Sequence, residues 1–370
     1  MIVLSDLARI EPHLGRWVAG LGGALVLDFA AGLPAGLTFA RASGQMVRAA
    51  NGVATWLSDN VYPLHHDVSG APLGVLLERE SASVAPDSVS LKSSSGVTVT
   101  TGAGVAPDGA NSAVLIREDS ASSLHRGWYN DTPCFVDDRN VVSVFVKPNG
   151  RVWSRLYVGS DYQSFHAVTG PGAEGNALDS WTESWSDGWV RLSVRISRAT
   201  AANLAPQIRM ATGDATMSYL GDGASGQYLW GYDYLNAAYP TSHIPAAPGP
   251  VTRARTSLSG TFAARVPRTI RISGAAPLGV QPAADQFLCA LTGDGGGSLI
   301  EVYRDYTNRH VIVRYGSTAI DLGAVPDGAT FDLGGATMLP GAPQVDTIYV
   351  GSDALGGRDW DSTIKEVILT

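Results

Sequence analysis

GDGASGQYLWGYDYLNAAYPTSHIPAAPGPVTRAR, residues 221–255, is the stretch from which the organisation of the chain is read. It opens on a Gly-rich turn, GDGASG, whose glycines adopt positive φ without steric cost. Gln227, Tyr228, Leu229, Trp230, Gly231 and Tyr232 then alternate as a strand does, and aromatic residues suit a pleated, half-buried surface. A Pro-punctuated extended run follows, with a basic exit at Arg253 and Arg255. That order predicts a strand leading out of one domain and into another.

Upstream of the turn the same texture continues. Runs such as GVTVTTG, SAVLIRED, RNVVSVFVKP, WSRLYVGS, YQSFHAV, GWVRLSVRIS and NLAPQIRMA are separated by clusters of Gly, Pro, Asn and Asp. Short strands at this spacing, with no long amphipathic helix between them, predict a β-sandwich of jelly-roll type over residues 81–255. Val142, Val144 and Val146 share one face of their run. Trp189, Arg191, Ser193 and Arg195 alternate against Val190, Leu192, Val194 and Ile196. Each such strand is expected to have a core face and a wet face.

Downstream, residues 256–370 repeat the style in TIRISG, DQFLCALTG, SLIEVYRD, HVIVRYGS, AIDLGA, TIYVGSD and STIKEVILT, and predict a second sandwich. Residues 25–80 also break into short runs, with Asn51-Gly52 between two of them as a hairpin signal. The first residues place Ile2, Val3, Leu7, Ile10, Leu14, Trp17 and Val18 near helical spacing, interrupted by Pro12. They lack the marks of a signal peptide, and no run approaches the roughly 20 apolar residues of a membrane span. The expected division is an attachment segment at 1–36, a hairpin-rich segment at 37–80, the jelly roll at 81–255 and the final sandwich at 256–370.

Bulk composition agrees with an all-β reading and removes some functions. The 43 glycines and 20 prolines among 370 residues suit many turns between short strands. A formal net charge of −8 argues against sequence-independent nucleic-acid binding, which rests on phosphate neutralisation by Lys and Arg. Cys134 and Cys289 lie far apart in sequence and are expected to be buried thiols. His65 and His66 are adjacent on a predicted strand and so point to opposite sides, which disfavours a shared metal. No metal and no cofactor is expected.

Several motifs stand in an order that resembles bacteriophage tail fibres, spikes and related virion appendages. Gly221, Asp222, Gly223, Ser225, Gly226, Tyr228, Leu229, Trp230 and Gly231 are followed by Thr241, Ser242, Ile244, Pro245 and residues 251–254. Residues 37–43, Asn51, Gly52, Pro63, His66, Asp67, Gly70 and residues 74–78 resemble a segment common in phage structural proteins, and residues 106–113 and 186–194 add two further points of agreement. The closing TIYVG at 347–351 and WDSTIKEVIL at 360–369 resemble the last strands of concanavalin-like or laminin-G-like sandwiches. The resemblance implies a homotrimer or other homo-oligomer in a phage or phage-like virion, made in the bacterial cytoplasm and released on lysis. It also implies that the N-terminal segment docks on neighbouring head or tail proteins, and that the host's surface polysaccharide is the partner. The same folds are compatible with a purely structural head or tail decoration or connector.

Jelly rolls of this kind resemble carbohydrate-binding modules in fold, and sugars offer apolar C–H faces that stack on aromatic rings. Trp128, Tyr129, Trp153, Tyr157, Tyr162, Trp181 and Trp185 crowd the middle domain, with Asp161 and His166 as polar neighbours. These nine are the candidate glycan-binding residues, whereas Trp189 and Trp230 are expected in the core. No nucleophile elbow, zinc-binding helix or phosphate loop is present, and the acidic residues that could serve as a catalytic pair cannot be paired from sequence. The expectation is binding without catalysis.

Overall fold

The computed structural model describes residues 24–246, 250–279, 284–293, 298–334, 342–354 and 359–370. Strands dominate it, and the one helical element among these residues is a 3-10 turn at Ser186–Gly188. The fold is all-β, as the alternating runs predict. No helix among the described residues is long and apolar enough to cross a membrane. The helical spacing read in residues 1–18, and with it the docking role, lies outside the described residues.

One sandwich is assembled from both ends of the chain. Its first sheet runs Thr330–Gly334, Ile270–Ala275, Thr363–Leu369, Pro72–Leu76, Leu64–His66, with Leu25–Asp28 also paired to Thr363–Leu369. Its second runs Leu37–Ala40, Ser257–Arg265, Val345–Val350, Gln286–Thr292, Ser298–Arg304, His310–Tyr315, Thr318–Ala324. Leu25, Leu27, Val75, Ile272, Ile364 and Val367 meet Leu258, Leu288, Val302, Val313 and Ile348 in one buried core. Strands Leu25–Asp28, Leu37–Ala40, Leu64–His66 and Pro72–Leu76 therefore share one unit with the strands of 256–370. Strand pairing is non-local, so the linear order of motifs carries no record of it.

The jelly roll is inserted between those pieces. Its larger sheet orders Asp179–Ser184, Val190–Ile196, Asn140–Asn149, Gly226–Asn236, Ala113–Glu118 and Val97–Gly104. The facing sheet orders Gly170–Gly175, Asp161–His166, Trp153–Val158, Gln207–Ala211, Arg126–Trp128 and Ser93–Ser95. Val142, Val144, Val146, Leu192, Val194 and Leu229 pack against Leu156, Val158, Phe165, Ile208 and Met210 between them. The insert enters on Ser81–Ser83 and leaves on Val251–Arg253, and these two strands pair antiparallel with each other.

The expectation of one wet face fails for the larger sheet. Arg191, Ser193, Ser143 and Phe145, on the face away from the jelly-roll core, are all buried. The hairpin Gln45–Arg48/Ala54–Leu57 and the segment around His243 and Ile244 cover that face. There Met46, Ala54, Phe145, Trp185, Trp189 and Trp230 form a separate apolar cluster.

The quoted strand Gly226–Asn236 reaches both cores because it contains a bulge. Ser143 pairs with Asp233 but Phe145 pairs with Trp230, so one extra residue sits on the quoted strand. Gly231 takes φ +63° there, and a Cβ at this position would come within 2.8 Å of Phe145 Cδ2. The inserted residue inverts the alternation beyond it. Leu229 faces the jelly-roll core and Trp230 the opposite cluster, after which Tyr232 and Tyr234 return to the jelly-roll core. Upstream, the GDGASG turn is closed by Asp222, which accepts Ala224 N–H at 2.8 Å and Ser225 N–H at 2.7 Å. These hydrogen bonds hold its carboxyl well below the usual range.

The motif residues that lie far apart in sequence meet in one buried polar junction. Glu78 accepts hydrogen bonds from Gln45 Nε2 at 2.5 Å, Ser242 N at 2.7 Å and Ser242 Oγ at 2.6 Å, and lies 3.3 Å from Arg253 Nη1. Arg253 also donates to Thr241 Oγ1 and to the Arg79 carbonyl. Arg41 donates to Gln45 Oε1, and Ser43 Oγ accepts Ala254 N–H at 2.7 Å. Buried charges demand such partners. The junction thus joins the hairpin segment, the start of the insert and its exit.

Candidate functional site

The outer face of the smaller jelly-roll sheet is half-buried, with Ser164 covered where its hydroxyl donates to the Asp214 carbonyl. Along Trp153–Val158, Ser154, Leu156 and Val158 are buried, so Trp153, Arg155 and Tyr157 point outward. Ile208 and Met210 point inward and leave Gln207 and Arg209 outside; Gly127 leaves Arg126 and Trp128 outside. Strand register then lines these side chains up in rows across the sheet. One row runs Tyr162, Tyr157, Gln207, Trp128, Ser93. The next runs Ser164, Arg155, Arg209, Arg126, Ser95. His166 and Trp153 stand side by side in a third.

Each arginine of the second row lies over a ring of the first. The guanidinium carbon of Arg155 is 4.2 Å from the Tyr162 ring centre, that of Arg209 is 3.8 Å from Tyr157, and that of Arg126 is 4.2 Å from Trp128. Such contacts hold long side chains in place and offset part of the cost of desolvating a cation. The pKa of Arg209 is lowered, chiefly by burial and then by the charge of Arg126, with Arg155 adding to it. The hydrogen-bond acceptors of these groups are neutral. Arg155 donates to Ser164 Oγ at 3.0 Å and to the Asp214 carbonyl at 3.2 Å, and Arg209 donates to Gln207 Oε1 at 3.0 Å.

Five of the nine residues singled out from sequence, Trp128, Trp153, Tyr157, Tyr162 and His166, share this face. Trp153 and His166 meet edge to face at 5.0 Å, and Tyr157 and Tyr162 stack at 6.1 Å. Asp161 lies at the sheet's end in an ion pair with Arg198 at 2.7 Å. Three residues go elsewhere. Tyr129 is 1% exposed and stacks on Tyr232 in the core, ring centres 4.2 Å apart. Trp181 lies on the other sheet and donates its indole N–H to the Leu278 carbonyl at 3.0 Å, against the neighbouring sandwich. Trp185 is 9% exposed beneath the Arg48 guanidinium, and it lines a cavity of about 230 Å³ with Arg48, His65, Glu183 and Arg191 at the junction of hairpin, jelly roll and sandwich. The strands on which they sit thus set these three apart from the other candidates.

Sequence reasoning missed Arg126, Arg155, Arg209 and Gln207. The signal was available in the spacing: Trp153, Arg155 and Tyr157 alternate, as do Arg126 with Trp128 and Gln207 with Arg209. Trp189 and Trp230 are buried, as expected. Cys134 and Cys289 are free and buried, and burial pushes the Cys289 thiol up to about 12. His65 and His66 both bind the backbone of Arg48, through its N–H at 3.1 Å and its carbonyl at 3.2 Å. Among the described residues no three His, Cys, Asp or Glu side chains gather as a metal site.

No protein-family model matches the sequence, and no curated protein matches it. Among solved structures, the chain has a likeness to the N-terminal CBM22-1–CBM22-2 tandem domain of Xyn10C from Paenibacillus barcinonensis. The two share 11% identity over 77% of this chain and 94% of that one, with a TM-score of 0.22. A likeness at that level carries no argument about this chain.

Proposed function

We propose that the chain is a subunit of a virion appendage whose jelly roll binds a polysaccharide of the bacterial host surface without cutting it. The observation that carries this reading is the ordered outer face, on which Trp128, Tyr157 and Tyr162 form one row and Trp153 stands beside His166. Rings held by strands on both sides offer amphipathic contact area at little entropic cost, as a sugar ligand requires. The motif order resembling phage fibres and spikes supports the virion assignment. The carboxylates next to the face have other duties: Asp161 pairs with Arg198, and Asp214 accepts the N–H groups of Ala173 and Glu174. That arrangement supports binding over hydrolysis, which needs an acid and a base facing the same bond.

In this reading the subunits form a trimer or another closed oligomer, and weak single sites gain avidity from their number. The purified chain is expected to bind polysaccharide extracted from host envelopes. Trp128→Ala and Tyr157→Ala are each expected to weaken binding about tenfold, the scale of a buried contact residue, with unchanged circular dichroism. Polymer length after incubation is expected to stay constant. Undiminished binding by both variants sinks the proposed face, and shortened polymer sinks the claim that it only binds.

A further inference from the structure

We infer that the ligand of this face is an acidic polysaccharide, recognised through its carboxylates by Arg126, Arg155 and Arg209. The inference rests on the reading of the face as a glycan surface and adds its chemical class.

The three arginines occupy adjacent strands at one level of the sheet, Arg155 opposite Arg209 and Arg209 opposite Arg126. Neighbouring strands lie about 4.8 Å apart, so three like charges are held close together. Several other packed arginines in this chain are matched, Arg151 with Glu118, Arg195 with Asp179, Arg198 with Asp161, Arg253 with Glu78 and Arg314 with Glu301, while Arg41 is held singly by neutral acceptors. Among the described residues none of the three on this face has a carboxylate in ion-pair contact, although the whole chain carries a net charge of −8. A row of cations that the fold crowds, partly desolvates and leaves without counter-charge is a site whose missing component is an anion.

The shape of the row narrows the choice. Guanidinium groups present forks that match planar carboxylates with two parallel hydrogen bonds. An extended chain lying across the strands would follow the row of Tyr162, Tyr157 and Trp128 with its sugar rings and meet the arginine row with its acidic substituents. The distance from one strand to the next is comparable to the length of one pyranose ring, so acidic groups on successive or alternate sugars fall within reach. A nucleic acid fits less well. Its affinity grows with the number of phosphates that Lys and Arg neutralise, and this face offers three such cations within an acidic chain.

The test uses the full chain and polyuronates as probes: polygalacturonate and alginate, each beside its carboxyl-reduced counterpart, together with dextran and single-stranded oligothymidine. Binding to at least one polyuronate is expected, with a loss of tenfold or more on carboxyl reduction and a similar loss in Arg209→Gln at unchanged melting temperature. Arg209→Lys, which keeps the charge but not the fork, is expected to recover only part of that loss. Equal binding to the carboxyl-reduced polymer overturns the acidic assignment and leaves the glycan face standing. Failure of every acidic and neutral polysaccharide, host envelope extracts included, overturns both readings. Tighter binding to oligothymidine than to any polyuronate moves the face to nucleic acid and overturns this inference.

Discussion

Glu78 shows how a single side chain can hold separate segments together. Its carboxylate, 3% exposed, gathers Gln45, Ser242 and Arg253, and removing one member of a buried charged set leaves the others unpaired. Glu78→Ala is therefore expected to cost about 3–5 kcal/mol, and Glu78→Gln less, measured by urea unfolding. His65 makes a different prediction. Its ring accepts the Arg48 N–H, and burial, then the charges of Arg48 and His66, push its pKa from the ordinary 6.5 down to about 3. The unfolded chain takes up that proton near 6.5 and the folded chain does not, so the contribution to stability is complete above pH 6.5 and is lost as pH falls toward 3. Between pH 7 and 4.5, His65→Gln is expected to lose roughly 1–2 kcal/mol less than the parent; parallel pH profiles would refute it. At this scale the sequence revealed residue types but not their surroundings. Trp153 and Trp185 read alike as aromatics near strand ends, yet one lies on the outer face of a sheet and the other beneath Arg48 at the junction of hairpin, jelly roll and sandwich. Substituting Trp181 or Trp185 is accordingly expected to weaken the joint between domains rather than ligand contact.

Strands were legible because alternation is a local property. The runs around Val142, Leu192, Leu156 and Ile208 all became strands whose apolar positions meet in one core. The bulge at Gly231 was not legible, since a glycine within an aromatic strand has no local mark that separates a kink from a weak position. Its effect is nevertheless large, because every side chain beyond it changes face. Gly231→Ala must place a Cβ at positive φ and 2.8 Å from the Phe145 ring. A loss of roughly 2–4 kcal/mol is expected from the strained backbone and the overpacked ring together. Denaturant midpoints of the two proteins decide it: an unchanged midpoint means the strand can slide past the bulge. The assumption of a wet face on the larger sheet failed for a related reason. Alternating Arg191 and Ser193 resemble an exposed pattern, but their partners Asp233, Thr241 and Ser143 arrive from distant segments.

Two units of different topology are bound closely enough to act as one. Tyr239 of the jelly roll donates its hydroxyl to Asp361 of the sandwich at 2.6 Å and meets Gln286 at 3.1 Å, while Arg79 at the crossing point pairs with the same Asp361. Calorimetry is expected to record one unfolding transition in the parent and two in Glu78→Ala, and two transitions in the parent would show that the junction does not couple the units. That the sandwich is split was hidden from a linear reading, because nothing in residues 25–76 names residues 363–369 as their partners. The paired entry and exit strands, Ser81–Ser83 and Val251–Arg253, have a consequence beyond stability. The whole intervening jelly roll begins and ends at neighbouring positions, so its covalent links to the scaffold lie side by side while Tyr239, Trp181 and Glu183 make further contacts with it. An exchange of that jelly roll for another domain therefore needs no new backbone path, only a matching surface for the hairpin that carries Met46 and Ala54 and for Glu78 and Asp361.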